Sequence, residues 1–454
     1  MIQEKITRQK MFFDTNQTKA VDFRIEHLKK LRETIRMKEQ EIIEALYLDL
    51  GKSDFEAYSS EVGFLLESLH YFIKNLKKWS KPKRKLSPKF MPISKSKIFY
   101  EPLGVVLIIG PFNYPFQLVM EPLIGAIAAG NTCVLKPSEK TPYTSQVIQD
   151  VISEVFDPEY VAVICGGKEV VTELIHSKVD HIFFTGSDKV GKVVMGAASK
   201  QLIPVTLELG GKSPTIVHED ADIEKAAARI VWGKYYNIGQ TCIAPDFVYV
   251  HKNIEEEFLK AVKNKIIAFY GTDALSSPDY GRIIDEAAYD RLKGFIDESK
   301  LYHGGETNRK QLKIAPTVLA DVKWTDPVMQ EEIFGPILPV LTYESLEDTL
   351  RIIKDKPKPL AFYFFSENKE LQVKVIDYLP FGGGCINDTI AHVTSTRLPF
   401  GGVGNSGMGS YHGKESFMTF SNKKAVMKKS TLFDIEMMYP PYKGKLGLIK
   451  KIMK

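Results

Sequence analysis

The chain has 454 residues, of which 44% are hydrophobic and 26% charged, as in an ordinary soluble globular protein with room for two or three domains. Its formal net charge of +5 is mild, and the densest basic run, residues 77–85, contains a single aromatic side chain, so nucleic-acid binding is not expected. Four widely spaced cysteines form neither a disulfide framework nor a metal-ligand spacing, which favours a reducing, cytoplasmic location and predicts no metal centre.

The N-terminal region is charged and helical in pattern. Residues 1–8 are too polar for the apolar part of a signal peptide. Apolar side chains recur at helical spacing over residues 18–50, and Gly51 offers a stop, so we predict one long amphipathic helix there. Residues 81–88 are rich in proline and basic side chains and predict a connector or the start of an extended arm.

From residue 101 to 217, short β-branched runs alternate with helical stretches. The predicted strands cover residues 105–109, 132–135, 160–164, 181–184, 205–209 and 215–217, and the predicted helices cover 116–129, 145–156, 169–176 and 190–200. This alternation predicts a mostly parallel sheet with helices on its faces, whose ligands bind beyond the carboxyl ends of the strands. A second α/β pattern begins near residue 208, with predicted helices at 221–236, 254–268 and 345–355 and strands at 247–250 and 337–341.

Two segments after predicted strands are candidates for binding a dinucleotide, although no GxGxxG run follows any of these strands. Gly186 and Ser187 follow a strand and open a helix, so their amides could hold an anion at the helix N-terminus, but such turns are also common as purely structural features. Lys136 and Glu139 could bind ribose hydroxyls, and a carboxylate there favours NAD over NADP. A proline-directed loop with surface charges is the simpler interpretation of that second segment alone.

Further residues suit acyl-transfer chemistry. Cys242 could hold an acyl group as a thioester, and Glu208 could activate the water that releases it. Asn113 carries an amide that could donate to an oxyanion, while Glu332 and Phe334 could contact a ribose and a flat ring. Each has a structural alternative, because asparagines beside prolines form turns and free cysteines are usually buried and inert.

Taken in order, these motifs resemble those of the aldehyde dehydrogenase superfamily, over residues of about 15–430. The matching segments are Pro-Phe-Asn-Tyr-Pro (111–115), Lys-Pro-Ser-Glu (136–139), Phe-Thr-Gly-Ser (184–187), Leu-Glu-Leu-Gly-Gly-Lys-Ser-Pro (207–214), Gly-Gln-Thr-Cys (239–242), Glu-Ile-Phe-Gly-Pro (332–336) and Leu-Pro-Phe-Gly-Gly (398–402). The short N-terminus, residues 407–414 and the Tyr-Pro-Pro-Tyr run at 439–442 resemble the class 3 branch, which acts on fatty and aromatic aldehydes. Some members of that branch carry a C-terminal membrane helix, which this tail lacks.

The resemblance implies an α/β fold with a Rossmann-like NAD(P)-binding domain, an α/β catalytic domain and a small β arm that joins two subunits into a homodimer. The expected division is residues 1–80 and 100–207 for the NAD(P)-binding domain, 208–395 for the catalytic domain, 81–99 and 396–430 for bridging and oligomerisation segments, and 431–454 for a basic C-terminal tail. The implied partner is a small-molecule aldehyde.

The resemblance also implies roles for single residues. The implied cofactor contacts are Lys136 and Glu139 at the adenosine ribose, Gly186 and Ser187 at the phosphate, and Glu332 and Phe334 at the nicotinamide side. Class 3 enzymes often accept NADP, so Glu139 leaves NAD and NADP both open. In the implied mechanism Cys242 attacks the aldehyde, Asn113 and the backbone N–H of Cys242 hold the oxyanion, and Glu208 activates water. His412 and Asn387 match class 3 positions near the site, with a structural role as the alternative.

Several alternatives stay open. A coenzyme A-acylating dehydrogenase would pass the thioester on, although a water-activating Glu208 argues against it; a non-catalytic relative would be expected to lack Cys242 or Glu208. Three tyrosines, Tyr114, Tyr235 and Tyr236, could line an apolar entrance or pack in the core. Nine lysines and two acidic residues occupy residues 423–454, which predicts a solvated, partly ordered terminus, with weak contact to an anionic membrane surface as the sharper alternative.

Overall fold

Two α/β sheets and a small antiparallel sheet organise the chain in the computed structural model, which describes residues 2–88, 91, 94–432, 434 and 436–453. The α-helices are α1 Ile2–Asp14, α2 Val21–Met37, α3 Glu39–Leu50, α4 Asp54–Ala57, α5 Gly63–Trp79, α6 Gln117–Ala129, α7 Pro142–Val155, α8 Lys168–Ile175, α9 Asp188–Ser199, α10 Ile223–Tyr235, α11 Glu255–Tyr270, α12 Glu286–Lys293, α13 Leu346–Lys354, α14 Lys369–Tyr378, α15 Gly413–Thr419 and α16 Leu446–Ile452. A π-helical turn, Tyr58–Val62, joins α4 to α5.

The strands alternate with these helices through most of the chain. They are β1 Lys83–Lys85, β2 Ser94–Pro102, β3 Val105–Ile109, β4 Thr132–Lys136, β5 Val161–Val163, β6 His181–Gly186, β7 Val205–Leu209, β8 Pro214–Val217, β9 Phe247–His251, β10 Leu301–His303, β11 Thr307–Asn308, β12 Lys313–Ile314, β13 Thr317–Leu319, β14 Ile337–Tyr343, β15 Ala361–Phe365, β16 Gly383–Ile386, β17 Gly407–Met408 and β18 Ser421–Lys429. The α/β fold expected from the alternating pattern is confirmed.

The first sheet has the Rossmann-like form. Its parallel strands run in the order β5-β4-β3-β6-β7, with β17 added antiparallel at the β7 edge. Helices α6 to α9 connect successive strands, and every residue of β3 and β4 is buried, as expected of a sheet covered on both faces. Lys136 lies opposite Ile109, and Glu208 lies opposite Thr185, so both side chains reach the carboxyl edge of this sheet.

The second sheet runs in the order β10-β13-β14-β9-β8-β15-β16 and is parallel except for β10. The predicted strand at 215–217 forms as β8, but it belongs to this sheet and not to the first one. The expected helices near residues 221–236, 254–268 and 345–355 form as α10, α11 and α13. A loop of four residues between β7 and β8 therefore carries the chain from one sheet to the other.

A small β arm completes the fold. Strand β2 pairs antiparallel with β18 along nine residues, and β1 pairs with β2 on its other side. The extended arm predicted to begin at residues 81–88 is thus present; residues 89, 90, 92 and 93 lie outside the described residues. Beyond the arm, the described part of the predicted tail contains the short helix α16, and Lys454 lies outside the described residues. Across the described ranges, every helix falls short of the length and apolar character needed to cross a membrane.

The single helix predicted over residues 18–50 is wrong. Helices α2 and α3 are separate and meet at Lys38, whose φ of −98° and ψ of 14° are not helical. Leu28, Ile35 and Ile42 remain fully buried across the break, so the spacing of apolar residues stays in phase and cannot reveal it. Gly51 ends α3 in a left-handed conformation, as the sequence predicts.

Candidate active site

An apolar cavity of about 250 Å³ lies beside Cys242 and Glu208. Aromatic side chains dominate its wall, among them Phe64, Tyr114, Trp232, Tyr236, Phe400 and Tyr411. Two of the three predicted entrance tyrosines therefore line it. The third, Tyr235, is buried in the core, where its hydroxyl donates a hydrogen bond of 3.1 Å to the carbonyl of Thr317. We call this space the apolar cavity.

A second and larger cavity, of about 430 Å³, lies near the start of α9 and the loop after β7. Its wall includes Ser187, Gly210, Gly211, Lys212 and Glu332. Glu208 lines the apolar cavity while Gly210 and Gly211 line the second one, so the end of β7 and the loop directly after it border the two spaces. We call this second space the polar cavity.

A strained turn delivers Cys242 to the apolar cavity. After α10 ends at Tyr235, Asn237 and Ile238 both adopt left-handed backbone conformations, with φ of 52° and 56°. A β-branched residue rarely adopts this conformation, so the surroundings must hold it. Gln240 anchors the turn, because its side chain donates to the carbonyl of Arg282 at 3.1 Å and accepts the N–H of Ile284 at 3.0 Å.

Asn113 is bonded to the same turn. Its Nδ2 donates to the carbonyl of Gln240 at 3.0 Å, two residues before Cys242. In return, Nδ2 of Asn237 donates to the carbonyl of Asn113 at 2.8 Å. The structure thus brings the loop of Asn113 against the loop of Cys242, while the role of the Asn113 amide as an oxyanion donor stays a prediction.

Glu208 is a buried carboxyl group, with 3% of its surface exposed. Among the described residues, neither of its carboxyl oxygens has a hydrogen-bond partner. Burial raises the pKa of Glu208 well above its usual range. For Cys242, burial and then the charges of Glu332 and Glu208 raise the pKa of the thiol. Burial therefore disfavours the charged forms that a nucleophile and a base require, and a nearby positive charge would act in the opposite direction.

The predicted phosphate site lies where β6 meets α9. Ser187 is the N-cap of α9, and its hydroxyl accepts the N–H of Val190 at 3.4 Å. Ser187 and Asp188 line the polar cavity, so the positive end of the helix dipole is at that wall. A Cβ on Gly186 would lie 2.6 Å from the ring of Phe184, which explains why glycine is needed there.

Lys136 and Glu139 form an ion pair of 2.6 Å at the end of β4. Lys136 is buried and the Glu139 side chain is about half exposed. Partial burial raises the pKa of Glu139, but the hydrogen bond from Lys136 and the charges of Lys136 and Lys140 together outweigh it, and the pKa is lowered overall. Both residues lie at the same sheet edge as Gly186. Neither of them lines the polar cavity.

Glu332 lies over a glycine. A Cβ on Gly210 would lie 2.1 Å from Oε2 of Glu332, so glycine is what lets the carboxyl approach the backbone there. Burial and the charge of Asp246 raise the pKa of Glu332 to about 8. Phe334, by contrast, lines neither cavity; its ring packs edge-to-face on Phe112 with centroids 5.7 Å apart.

The two further candidates, His412 and Asn387, contact residues near the site. The ring of His412 stacks on Phe400 with centroids 5.1 Å apart, and burial lowers the pKa of His412 to about 3. His412 does not line the apolar cavity, whereas Phe400 does. The Asn387 side chain accepts the N–H of Ser366 and donates to its carbonyl, so it holds a turn of the second sheet.

The sequence motifs did not predict several charged residues that are bonded to the segments carrying the site residues. Lys212 forms an ion pair with Asp246 and donates to the carbonyls of Val328 and Glu331, next to Glu332. Its place in the Gly-Gly-Lys-Ser run was the signal that could have found it. Lys52 and Glu61, which form a buried ion pair, lie in segments without any motif, so the sequence carries no signal for them.

The sequence and the fold of the chain are similar to those of known proteins. The model of the Aldehyde dehydrogenase family matches residues 3–426. The 4,4'-diaponeurosporen-aldehyde dehydrogenase of Staphylococcus aureus (strain NCTC 8325 / PS 47) is 50% identical over 456 residues, covering 100% of this chain and 99% of that protein. The dimeric, NADP-preferring aldehyde dehydrogenase of Rattus norvegicus is 44% identical over 455 residues, covering 98% and 99%. A solved structure described as the substrate bound state of Staphylococcus aureus AldH superposes with a TM-score of 0.98 at 50% identity, covering 100% of both chains.

Proposed function

The chain belongs to the aldehyde dehydrogenase family, and we propose that it oxidises large apolar aldehydes through an acyl group carried on Cys242. It is an NAD(P)-dependent enzyme that converts aldehydes to carboxylic acids. The observation that carries the proposal is that Cys242 and Glu208 line one apolar cavity, while Asn113 is bonded to the loop that delivers Cys242.

In the proposed first step, Sγ of Cys242 attacks the aldehyde carbon and the carbonyl oxygen becomes an oxyanion. We assign the Asn113 amide and the backbone N–H of Cys242 as its donors. One N–H of the Asn113 amide is engaged with Gln240 in this structure, and the second is the one assigned to the oxyanion. A donor of this kind lowers the barrier by roughly 3 kcal/mol.

The polar cavity supports the proposed cofactor contacts. The N-terminus of α9 at Ser187 suits a phosphate, and Glu332 lies over Gly210 in a position only glycine permits, where it can accept a ribose hydroxyl. The remaining proposed contacts are Gly186 at the phosphate, Lys136 and Glu139 at the adenosine ribose, and Phe334 on the nicotinamide side. When bound, the oxidised dinucleotide would supply a positive charge and an acceptor for the hydride that the former aldehyde carbon loses when the adduct on Cys242 becomes a thioester.

Release of the acid is assigned to Glu208. The Glu208 carboxylate takes a proton from water, the water oxygen bonds to the thioester carbon, and the carbon–sulfur bond breaks; the proton on Glu208 then passes to the sulfur, which leaves the carboxylic acid, the Cys242 thiol and an ionised Glu208. The carboxyl oxygens lack partners among the described residues, which leaves them open to a water and favours hydrolysis over transfer to coenzyme A. Presence of both Cys242 and Glu208 argues against a non-catalytic binding relative.

The substrate class is proposed from the lining of the apolar cavity. Tyr114, Trp232, Tyr236 and Phe400 present rings to the space, and Phe55 at its wall is largely exposed. Such a surface favours long aliphatic, aromatic or polyene aldehydes over short polar ones. The name of the Staphylococcus relative, which acts on 4,4'-diaponeurosporen-aldehyde, supports the same class.

The test is a series of aldehydes of increasing chain length, with NAD and NADP in parallel. We expect kcat/KM to rise by about fourfold per CH₂ until the cavity is filled. Trp232→Ala should flatten this rise while leaving the shortest aldehyde unchanged, because only longer chains reach that ring. A series that falls with chain length would overturn the substrate class, and turnover that requires coenzyme A would favour the acylating alternative.

We also propose that the domains follow the predicted division, residues 1–80 and 100–207, 208–395, 81–99 with 396–430, and 431–454. Sheet membership supports it, because β3 to β7 share one sheet while β8, β9 and β14 to β16 share the other. The first sheet also takes in β17 and the end of β7, which cross those boundaries.

Assembly and location are proposed from surface features. We propose a homodimer joined through the β arm, supported by the exposed Val426 and Met427 of β18 and by the dimeric rat relative. Weak contact of the tail with an anionic membrane surface is supported by exposed Leu446 and Leu448 beside basic residues of α16. A cytoplasmic location is supported by four cysteines that are all free thiols.

A further inference from the structure

A buried ion pair lies behind the loops that carry Asn113 and Cys242. Lys52 follows α3, Glu61 belongs to the π-helical turn, and their side chains are 1% and 0% exposed. Nζ of Lys52 also lies 4.1 Å from the centroid of the Tyr114 ring. A buried ion pair adds little stability over apolar side chains of the same volume, so its presence beside the site calls for another role.

Glu61 connects the pair to the loop of Asn113. Its Oε2 accepts the backbone N–H groups of Phe116 and Gln117 at 2.9 and 3.1 Å, while Oε1 is bonded to Lys52. These two N–H groups belong to the first turn of α6, which otherwise lacks partners for them. The carboxylate therefore fixes the start of α6 and, with it, the position of Asn113 three residues earlier.

A further contact connects the pair to the loop of Cys242. The hydroxyl of Tyr114, whose ring faces Lys52, hydrogen-bonds Oγ1 of Thr241 at 2.6 Å. Glu56 is a second buried carboxyl that feels the same ammonium: burial raises the pKa of Glu56 to about 7, and the charge of Lys52 acts against that rise. The ammonium group thus reaches the loop of Asn113 through Glu61 and the loop of Cys242 through Tyr114.

We propose that Lys52 is a positioning residue, which sets the distance between the Asn113 amide and the Cys242 thiol through Glu61 and Tyr114. This inference rests on the proposed function of Asn113 and Cys242. Without the ammonium, Glu61 is left as an unpaired buried carboxylate, which takes up a proton or water and loosens the first turn of α6. The oxyanion donor then moves relative to the nucleophile, while the substrate cavity and the cofactor contacts stay in place.

The experiment compares Lys52→Met with the double variant Lys52→Met/Glu61→Gln. The double variant removes the buried charge but keeps an amide oxygen that can accept the N–H groups of Phe116 and Gln117. First-turnover NADH formation is measured by rapid mixing at saturating aldehyde and NAD, together with KM, cofactor affinity and Tm. Val375→Ala, a buried position in α14 that lines neither cavity, is the control for loss of stability alone.

For Lys52→Met we expect the first-turnover rate to fall roughly 10- to 100-fold, which is below the effect of removing one oxyanion donor outright. The KM for aldehyde and the cofactor affinity should change less than about threefold. The first-turnover rate of the double variant should lie between the rates of Lys52→Met and of the native protein. It should be at least about threefold faster than that of Lys52→Met and at least about threefold slower than that of the native protein. Val375→Ala should lower Tm with the first-turnover rate unchanged.

Three results would overturn the inference. The first is a native first-turnover rate in Lys52→Met, and the second is a double variant that is no faster than Lys52→Met. The third is a native first-turnover rate in the double variant. If Lys52→Met does not fold, the rate of the double variant decides the question by itself. Cys242→Ala separates this failure from a failure of the proposed function. If Cys242→Ala still turns over, the proposed function is wrong; if it is inactive while the Lys52 variants behave as native, only the positioning role is wrong.

Discussion

The apolar cavity and the polar cavity border the same short segment, residues 208–211, yet they differ in the partners that they offer to charged groups. In the apolar cavity, burial raises the pKa of Glu208, whose carboxyl oxygens have no partner among the described residues, and it also raises the pKa of the Cys242 thiol. At the polar cavity, Lys212 is paired with Asp246 and the N-terminus of α9 lies at the wall, although burial raises the pKa of Glu332 there too, to about 8. The comparison teaches that the first space disfavours the charged forms that the proposed reaction needs, while the second offers paired charges and a helix N-terminus to a charged ligand.

Cys242→Ala is expected to have the largest effect on the apolar side. NAD(P)H formation should fall to background, because Cys242 is the one thiol among the described residues that line that cavity. Absorbance at 340 nm measures the rate. Cofactor affinity, followed by fluorescence titration, is the control and should be unchanged, since the polar cavity does not include this side chain. Turnover above one tenth of the native rate would contradict the assignment.

Glu208→Gln should separate the two steps proposed for the apolar cavity, formation of the thioester and its hydrolysis. We expect the steady-state rate to fall roughly 10²- to 10⁴-fold, because a general base is lost, while a first-turnover burst remains. In the native protein, the steady-state rate should rise as pH increases through the raised pKa of Glu208, since only the ionised carboxylate can take a proton. Glu208→Gln should lose that rise. A full steady-state rate in the variant would show that another group is the base.

Glu332→Gln tests the polar side and should have a smaller effect. One carboxyl oxygen of Glu332 becomes an amide NH₂, which cannot accept a hydrogen bond, and this loss is expected to weaken cofactor binding roughly 10-fold. The KM for aldehyde should stay within about twofold, because Glu332 does not line the apolar cavity. Titration with NAD and with NADP measures the change. An aldehyde KM that shifts as much as the cofactor affinity would mean that the two cavities are not separate in function.

Much of the fold could be predicted from the sequence, because β3, β6 and β7 are β-branched or aromatic runs that end where turn residues begin. The break at Lys38 could not, since apolar residues on both sides keep one helical phase. Among site residues, motifs located Cys242, Glu208 and Glu332, but no motif shows which of them share a cavity.

The contacts of the buried ion pair next to the site could not be predicted from the sequence, for a different reason. Lys52 and Glu61 are nine residues apart on separate turns, and they meet the segment 114–117, and through Tyr114 the residue Thr241, only in the folded chain. The left-handed conformation of Ile238 is likewise imposed by the surroundings against its own preference. Local sequence therefore identifies the reacting groups better than it identifies what positions them.

The central claim is that the acyl group is carried on Cys242 and released by Glu208. The most direct measurement is mass spectrometry of the Glu208→Gln variant, mixed with aldehyde and NAD and quenched with acid after the first turnover. We predict a peptide containing Cys242 that is heavier by the acyl group of the aldehyde used, in an amount that matches the NADH burst. An NADH burst with free carboxylic acid and an unmodified Cys242 would contradict the account.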